Sequence, residues 1–144
     1  NNKGVDFKLG TFGAGHGATT SNLKGGLGSA SIVLSNGVTV GALVAVNPSG
    51  SVVTEGTNSF WASPYEANKE FGGKSFEFPN KIFSEYFRGD DNRKDSFSIK
   101  NTTIAIVATD LDLSKVELRR VSVAAHDGIS RAIVPSHILL MMEI

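Results

Sequence analysis

The sequence predicts a mixed α+β fold, with strands first and a helix after them, and three observations carry that prediction. Residues 29–34 and 38–46 are runs of small and β-branched residues separated by Ser35-Asn36-Gly37, and Asn-Gly is the turn chemistry of a hairpin. Ile104-Ala105-Ile106-Val107-Ala108 is a continuous apolar run, the pattern of a strand buried on both faces. Ser114, with Glu117 at the third helical position, forms the capping box of a helix start. Strands followed by a helix point to an α+β sheet protein.

Taken in order, residues 5–9 alternate weakly and read as a short strand. Residues 10–28 carry a heavy share of the 16 glycines, so backbone and not side chains must shape that stretch. Asn47-Pro48-Ser49-Gly50 ends the second hairpin strand, and Val52-Val53 begins another short one. Residues 55–100 change character: aromatics such as Phe60, Trp61, Phe71 and Phe76 are mixed with charged residues, Asn and Gly without a clean period. That stretch reads as a long excursion, either folded over another part of the chain or partly mobile, with a helical turn or two over residues 81–87. After Ser114, the residues Val116, Leu118, Val121, Val123 and Ala125 make an imperfect apolar helix face through His126. No internal repeat or low-complexity segment is visible.

A chain of 144 residues is at most one domain, large enough for a real core. Lys+Arg and Asp+Glu both number 14, so there is no basic surplus for nucleic acid or an acidic membrane. Aromatics stacking on single-stranded nucleic acid would need a basic track that is not there. Without a single Cys, disulfides, thiolate catalysis and cysteine-metal sites are excluded. His16, His126 and His137 do not fall into ligand spacing, so neither a metal nor a cofactor is expected. The glycines of residues 10–17 lack the Gly-Lys-Ser/Thr ending of a phosphate loop. No apolar stretch approaches the roughly 18 residues that span a bilayer, and no signal-peptide pattern is present. A cytoplasmic location is the expectation, although the start Asn1-Asn2-Lys3 leaves a processed or trimmed leader open.

The chemistry centres on Asn101-Thr102-Thr103 at the lip of the apolar run. Cutting the Asn101-Thr102 bond frees an α-amino group on the residue that carries the hydroxyl, and that amine can act as base for its own side chain. The same residues also simply suit a strand start, because β-branched side chains fit a pleated surface. Asn47-Pro48 is likewise an ordinary strand end.

Several blocks together carry a resemblance. Gly13-Ala14-Gly15-His16-Gly17-Ala18 precedes Lys24-Gly25-Gly26-Leu27-Gly28-Ser29-Ala30-Ser31, which runs on to Asn47. Asn101 to Asp110 follows, and then His126-Asp127-Gly128-Ile129-Ser130-Arg131-Ala132-Ile133 and Pro135-Ser136-His137. In order and texture the chain resembles the DmpA-type aminopeptidases of peptidase family S58, which include β-peptidyl aminopeptidases and nylon-oligomer hydrolases. The resemblance covers most of residues 10–53 and 101–137, whereas residues 55–100 diverge. It implies a single partial domain over residues 1–144, an incomplete copy of a layered αββα-type sandwich shared with ornithine acetyltransferases.

The resemblance further implies self-cleavage at Asn101-Thr102, with Thr102 as nucleophile. Asn47 matches the Asn whose amide holds the oxyanion, and Gly13, Gly15 and Gly17 would line the site with peptide N–H groups. The nylon-hydrolase branch has a site Lys just after the Gly-Ala-Gly segment. Here Asn22 occupies that place and Lys24 follows two residues later. The implied substrate is a small peptide or amide, without a cofactor, and the implied assembly is a homo-oligomer.

The chain also departs from the family. Members are considerably longer at both ends, and the segment after the counterpart of His137 typically reads His-Thr-Pro-aromatic-Asp-Gly-Asp, whose carboxylates orient the nucleophile. Here Ile138-Leu139-Leu140-Met141-Met142-Glu143-Ile144 follows His137. One permitted codon set for His137 to Ile144 is CAC ATA CTC CTT ATG ATG GAG ATT. Without its first CA it encodes His-Thr-Pro-Tyr-Asp-Gly-Asp, so a dinucleotide slip is the hypothesis for this tail. Sequencing the source gene tests it, and it fails if no downstream frame restores the family segment. Without those carboxylates Thr102 loses an orienting partner. Two alternatives to the hydrolase follow: an uncleaved, non-catalytic remnant or interaction module of the same fold, and an acyl transferase like ornithine acetyltransferase.

Overall fold

The computed structural model of the chain describes residues 6–21, 23–79 and 101–137. Three strands, β1 (Gly26–Val33), β2 (Thr39–Val46) and β3 (Ile104–Thr109), form an antiparallel sheet in the order β1-β2-β3. One helix, α1 (Lys115–Ala132), follows β3. The fold is therefore mixed α+β. The expected turn at residues 81–87, the tail 138–144 and Asn22 lie outside the described residues.

The hairpin forms where its turn chemistry sits. Gly37 adopts a φ of 85°, which glycine tolerates without steric cost, and the Val38 N–H donates to Asn36 Oδ1 at 3.2 Å. Leu34 N–H donates to Val38 O at 2.8 Å and closes the loop. β1 starts at Gly26, three residues before the expected position 29, because Gly26 to Gly28 pair with Val46 to Val44. On the far side of β2, Asp110 accepts the Thr39 N–H at 3.0 and 3.1 Å, tying the end of β3 to the start of β2.

The capping box of α1 is complete. Ser114 Oγ accepts the Glu117 N–H at 3.4 Å, and Glu117 Oε2 accepts the Ser114 N–H at 2.9 Å. The helix continues through Gly128 to Ala132, beyond the apolar face that ended at His126. It stops where Pro135 pushes the residue before it out of the helical region, and Ile133 is already extended at φ −135°, ψ 125°.

Three expectations need correction. β3 is not buried on both faces: Ile104 and Ile106 are each 63% exposed, because no second layer among the described residues covers that face. Residues 6–9 form no strand; the chain instead meets β1 at a single bridge, Gly10 with Leu27, and the φ of 78° at Gly10 ends any extended run. Val52-Val53 likewise yields one isolated bridge, Val53 with Phe60, around a turn. Of residues 55–79, several aromatics pack on one another, Phe60 on Phe71 at 5.1 Å and Phe76 edge-on to Phe78 at 4.9 Å.

Burial is concentrated at one end of the sheet, where β1 begins and β2 ends. Gly15, Ala18, Thr20, Pro48, Gly50, Ser51 and Ile133 are all buried there or in the loops that meet there. Backbone hydrogen bonds knit those loops: Ser51 and Val134 exchange two at 2.9 Å, Ser21 N–H donates to Gly50 O at 3.1 Å, and Gly25 N–H donates to Ala18 O at 2.8 Å. Glycine is required at two of these positions. A Cβ on Gly25 would run into Val46 O, and one on Gly50 into Pro135 O.

Candidate active site

The strand registers bring the candidate residues to that packed end. β2 pairs with β3 as far as Ala45↔Ile104, which leaves Asn47 and Thr102 each two residues beyond the last pair of the ladder. On the other side β1 pairs through Gly26↔Val46, which sets Gly25 opposite Asn47. Segments far apart in sequence thus converge on Asn47: the loop before β1, the end of β2 and the residues entering β3.

Asn47 is held from two directions. Its backbone N–H donates to Thr103 Oγ1 at 3.3 Å, and its Oδ1 accepts the Thr19 N–H at 2.9 Å. A backbone N–H can only donate, so the acceptor end of the carboxamide faces Thr19 and the donor end, Nδ2, faces away from it. Thr102 itself is exposed, at the mouth of the sheet end. Asn101 is half-buried, and its Nδ2 donates to Ser49 Oγ at 2.9 Å.

The glycine loop curls beside this end as a single 3-10 turn, Gly13–Gly15. Gly13 and Gly17 have φ of 53° and 74°, a left-handed backbone that favours glycine. Gly15 has a different task. It is buried, its N–H donates to Phe12 O at 2.9 Å, and a Cβ on it would strike Gly10 O and Leu27 N. Lys24 bridges to Thr19 at the close of the same loop and is exposed. His16 is an exposed residue of the loop, while His126 and His137 pack edge-to-face at 5.7 Å. Among the described residues no three His, Asp or Glu side chains gather as metal ligands, and no helix is long and apolar enough to cross a membrane.

Sequence reasoning singled out Asn47, Asn101 and Thr102, which lie at the same end of the sheet, but missed the partners of the two asparagines. Thr19, Ser49 and Thr103 carry no signal in the sequence, since each matters only through a contact made across the fold. Ser49 lay inside an Asn-Pro-Ser-Gly string read as the end of a strand, and Thr103 inside a strand start.

Residues 1–139, a range that includes the aromatic-rich stretch, match Peptidase family S58. An uncharacterized aminopeptidase of Mycobacterium leprae is 43% identical over 132 residues, covering 92% of this chain and 34% of that protein. Uncharacterized aminopeptidases of Mycobacterium bovis and Mycobacterium tuberculosis are each 38% identical over 145 residues, covering 93% of this chain and 38% of theirs. The chain thus spans little more than a third of the length of the curated relatives it matches. On its matched residues, the chain belongs to peptidase family S58.

Proposed function

We propose that the chain carries the nucleophile segment of a self-cleaving aminopeptidase or amide hydrolase that acts on small peptides or amides. What supports this reading is Asn47, its carboxamide oriented by the Thr19 N–H, with Thr102 likewise two residues beyond the last pair of the β2–β3 ladder. Cleavage at Asn101-Thr102 turns Thr102 into an N-terminal residue with both hydroxyl and amine. The amine takes the hydroxyl proton as Thr102 Oγ1 attacks the substrate carbonyl. Asn47 Nδ2 then donates to the developing oxyanion, a contact that is stronger in the transition state than in the ground state. Because the Gly15 N–H is already spent on Phe12 O, backbone donors for the oxyanion narrow to Gly13 and Gly17.

The intact mass of the purified protein, beside a Thr102→Ala control, tests the proposal. Two fragments divided between Asn101 and Thr102, absent in the control, support it; a single uncut chain of 15.2 kDa overturns it. The uncut result favours a second reading, a non-catalytic remnant of the same fold. The open face of β3 is what recommends that reading.

A further inference from the structure

We infer that Ser49 is a positioning residue for self-cleavage, holding the Asn101 carboxamide so that Thr102 Oγ1, and not the Asn101 side chain, opens the Asn101–Thr102 bond. The inference rests on the self-cleavage reading above and adds to it a residue that decides between two chemical routes.

An Asn–Thr bond can break in two ways. In one, Thr102 Oγ1 bonds to the Asn101 carbonyl carbon, the carbon–nitrogen bond breaks, and the hydroxyl proton passes to the nitrogen that becomes the α-amine. Water then hydrolyses the ester, leaving Asn101 as a carboxylic acid and restoring the Thr102 hydroxyl. In the other, Asn101 Nδ2 bonds to its own carbonyl carbon and expels the Thr102 amine, giving up one proton as the amine gains one. The amino-side fragment then ends in a succinimide, one water lighter than the acid.

The geometry favours the first route. Asn101 Nδ2 donates to Ser49 Oγ at 2.9 Å, so cyclisation requires the amide to leave that partner and turn back on its own carbonyl. The partner is fixed. Ser49 stands between Pro48 and Gly50, both buried, in a loop pinned by the Ser21 N–H on Gly50 O at 3.1 Å and by the Ser51–Val134 pair at 2.9 Å. Gly50 is pressed so closely against Pro135 O that no side chain fits. The same loop begins with Asn47, so one rigid turn carries both the oxyanion donor and the restraint on Asn101.

Time-resolved intact mass of the full chain tests this. Losing one neutral hydrogen bond in Ser49→Ala is expected to slow cleavage about fivefold, and part of the amino-side fragment should appear one water lighter. Ser49→Thr keeps the hydroxyl and is expected to restore both rate and product. A double variant, Thr102→Ala with Ser49→Ala, should accumulate the succinimide-ended fragment on prolonged incubation, whereas Thr102→Ala alone stays whole. Wild-type rate and only the hydrated fragment in Ser49→Ala, with no succinimide in the double variant, overturn the role of Ser49 and leave the self-cleavage reading standing. A wild-type chain that stays whole overturns both.

Discussion

Asn47 is fixed twice, by its backbone on Thr103 and by its carboxamide on Thr19, so its part in folding can be tested apart from the proposed oxyanion role. Asn47→Asp keeps an oxygen that accepts the Thr19 N–H but removes the Nδ2 donor. The fold is therefore expected to survive, while turnover of a small peptide amide by the cleaved protein falls about a hundredfold or more. Retained turnover in a folded Asn47→Asp protein excludes Asn47 as the oxyanion donor. Gly25, opposite Asn47, answers to packing alone. Gly25→Ala places a methyl against Val46 O and the Ala18 backbone, and overpacking of this kind costs about 1–3 kcal/mol. Thermal unfolding should register that loss whether or not the protein is active.

At the level of elements, local signals were legible and long-range ones were not. Asn36-Gly37 marked the hairpin because a tight turn is encoded where it occurs, and Ser114 with Glu117 marked the start of α1 for the same reason. The far end of α1 was hidden: the apolar face fades after Ala125, yet the backbone ladder runs on to Ala132 until Pro135 forbids more. The candidate site was legible as residue types, but its placement depended on a hydrogen bond between Asn47 and Thr103, 56 residues apart, and on a contact joining Ser49 to Asn101. No local pattern encodes either. The cap yields a prediction of its own, since Ser114→Ala should cost about 1 kcal/mol in chemical denaturation. Acid should act on the same contacts. The Thr39 N–H holds the Asp110 carboxyl below its ordinary range, and the Ser114 hydroxyl, followed by its N–H, does so for Glu117. A carboxylate whose pKa is lowered by folding stabilises the fold above its unfolded value, and that contribution disappears as pH falls through the lower folded value. Stability should therefore drop below about pH 4, and melting curves of an Asp110→Asn, Glu117→Gln protein should show a shallower drop.

Across the whole molecule, order and exposure are divided between the two ends of the design. The end bearing Asn47, Asn101 and Thr102 is closely packed through backbone contacts that leave no room for a Cβ at Gly15, Gly25 or Gly50. The sheet and helix beyond it present apolar side chains outward: Ile104 and Ile106 on one face of β3, and Val116, Leu118 and Val123 on α1. Alternate residues of a strand share a face, so Ile104 and Ile106 form a continuous strip. A strip of this kind on a lone chain attracts apolar ligands and other chains. The 144-residue protein is therefore expected to enhance the fluorescence of anilinonaphthalenesulfonate under native conditions. Ile106→Lys, which breaks the strip at an already exposed position, should reduce that enhancement and leave the melting temperature nearly unchanged. A large fall in melting temperature with Ile106→Lys would mean instead that this face is covered in solution, either by a second copy of the chain or by its own residues. Sedimentation of the wild type at two concentrations distinguishes those two covers, because only association between copies depends on concentration.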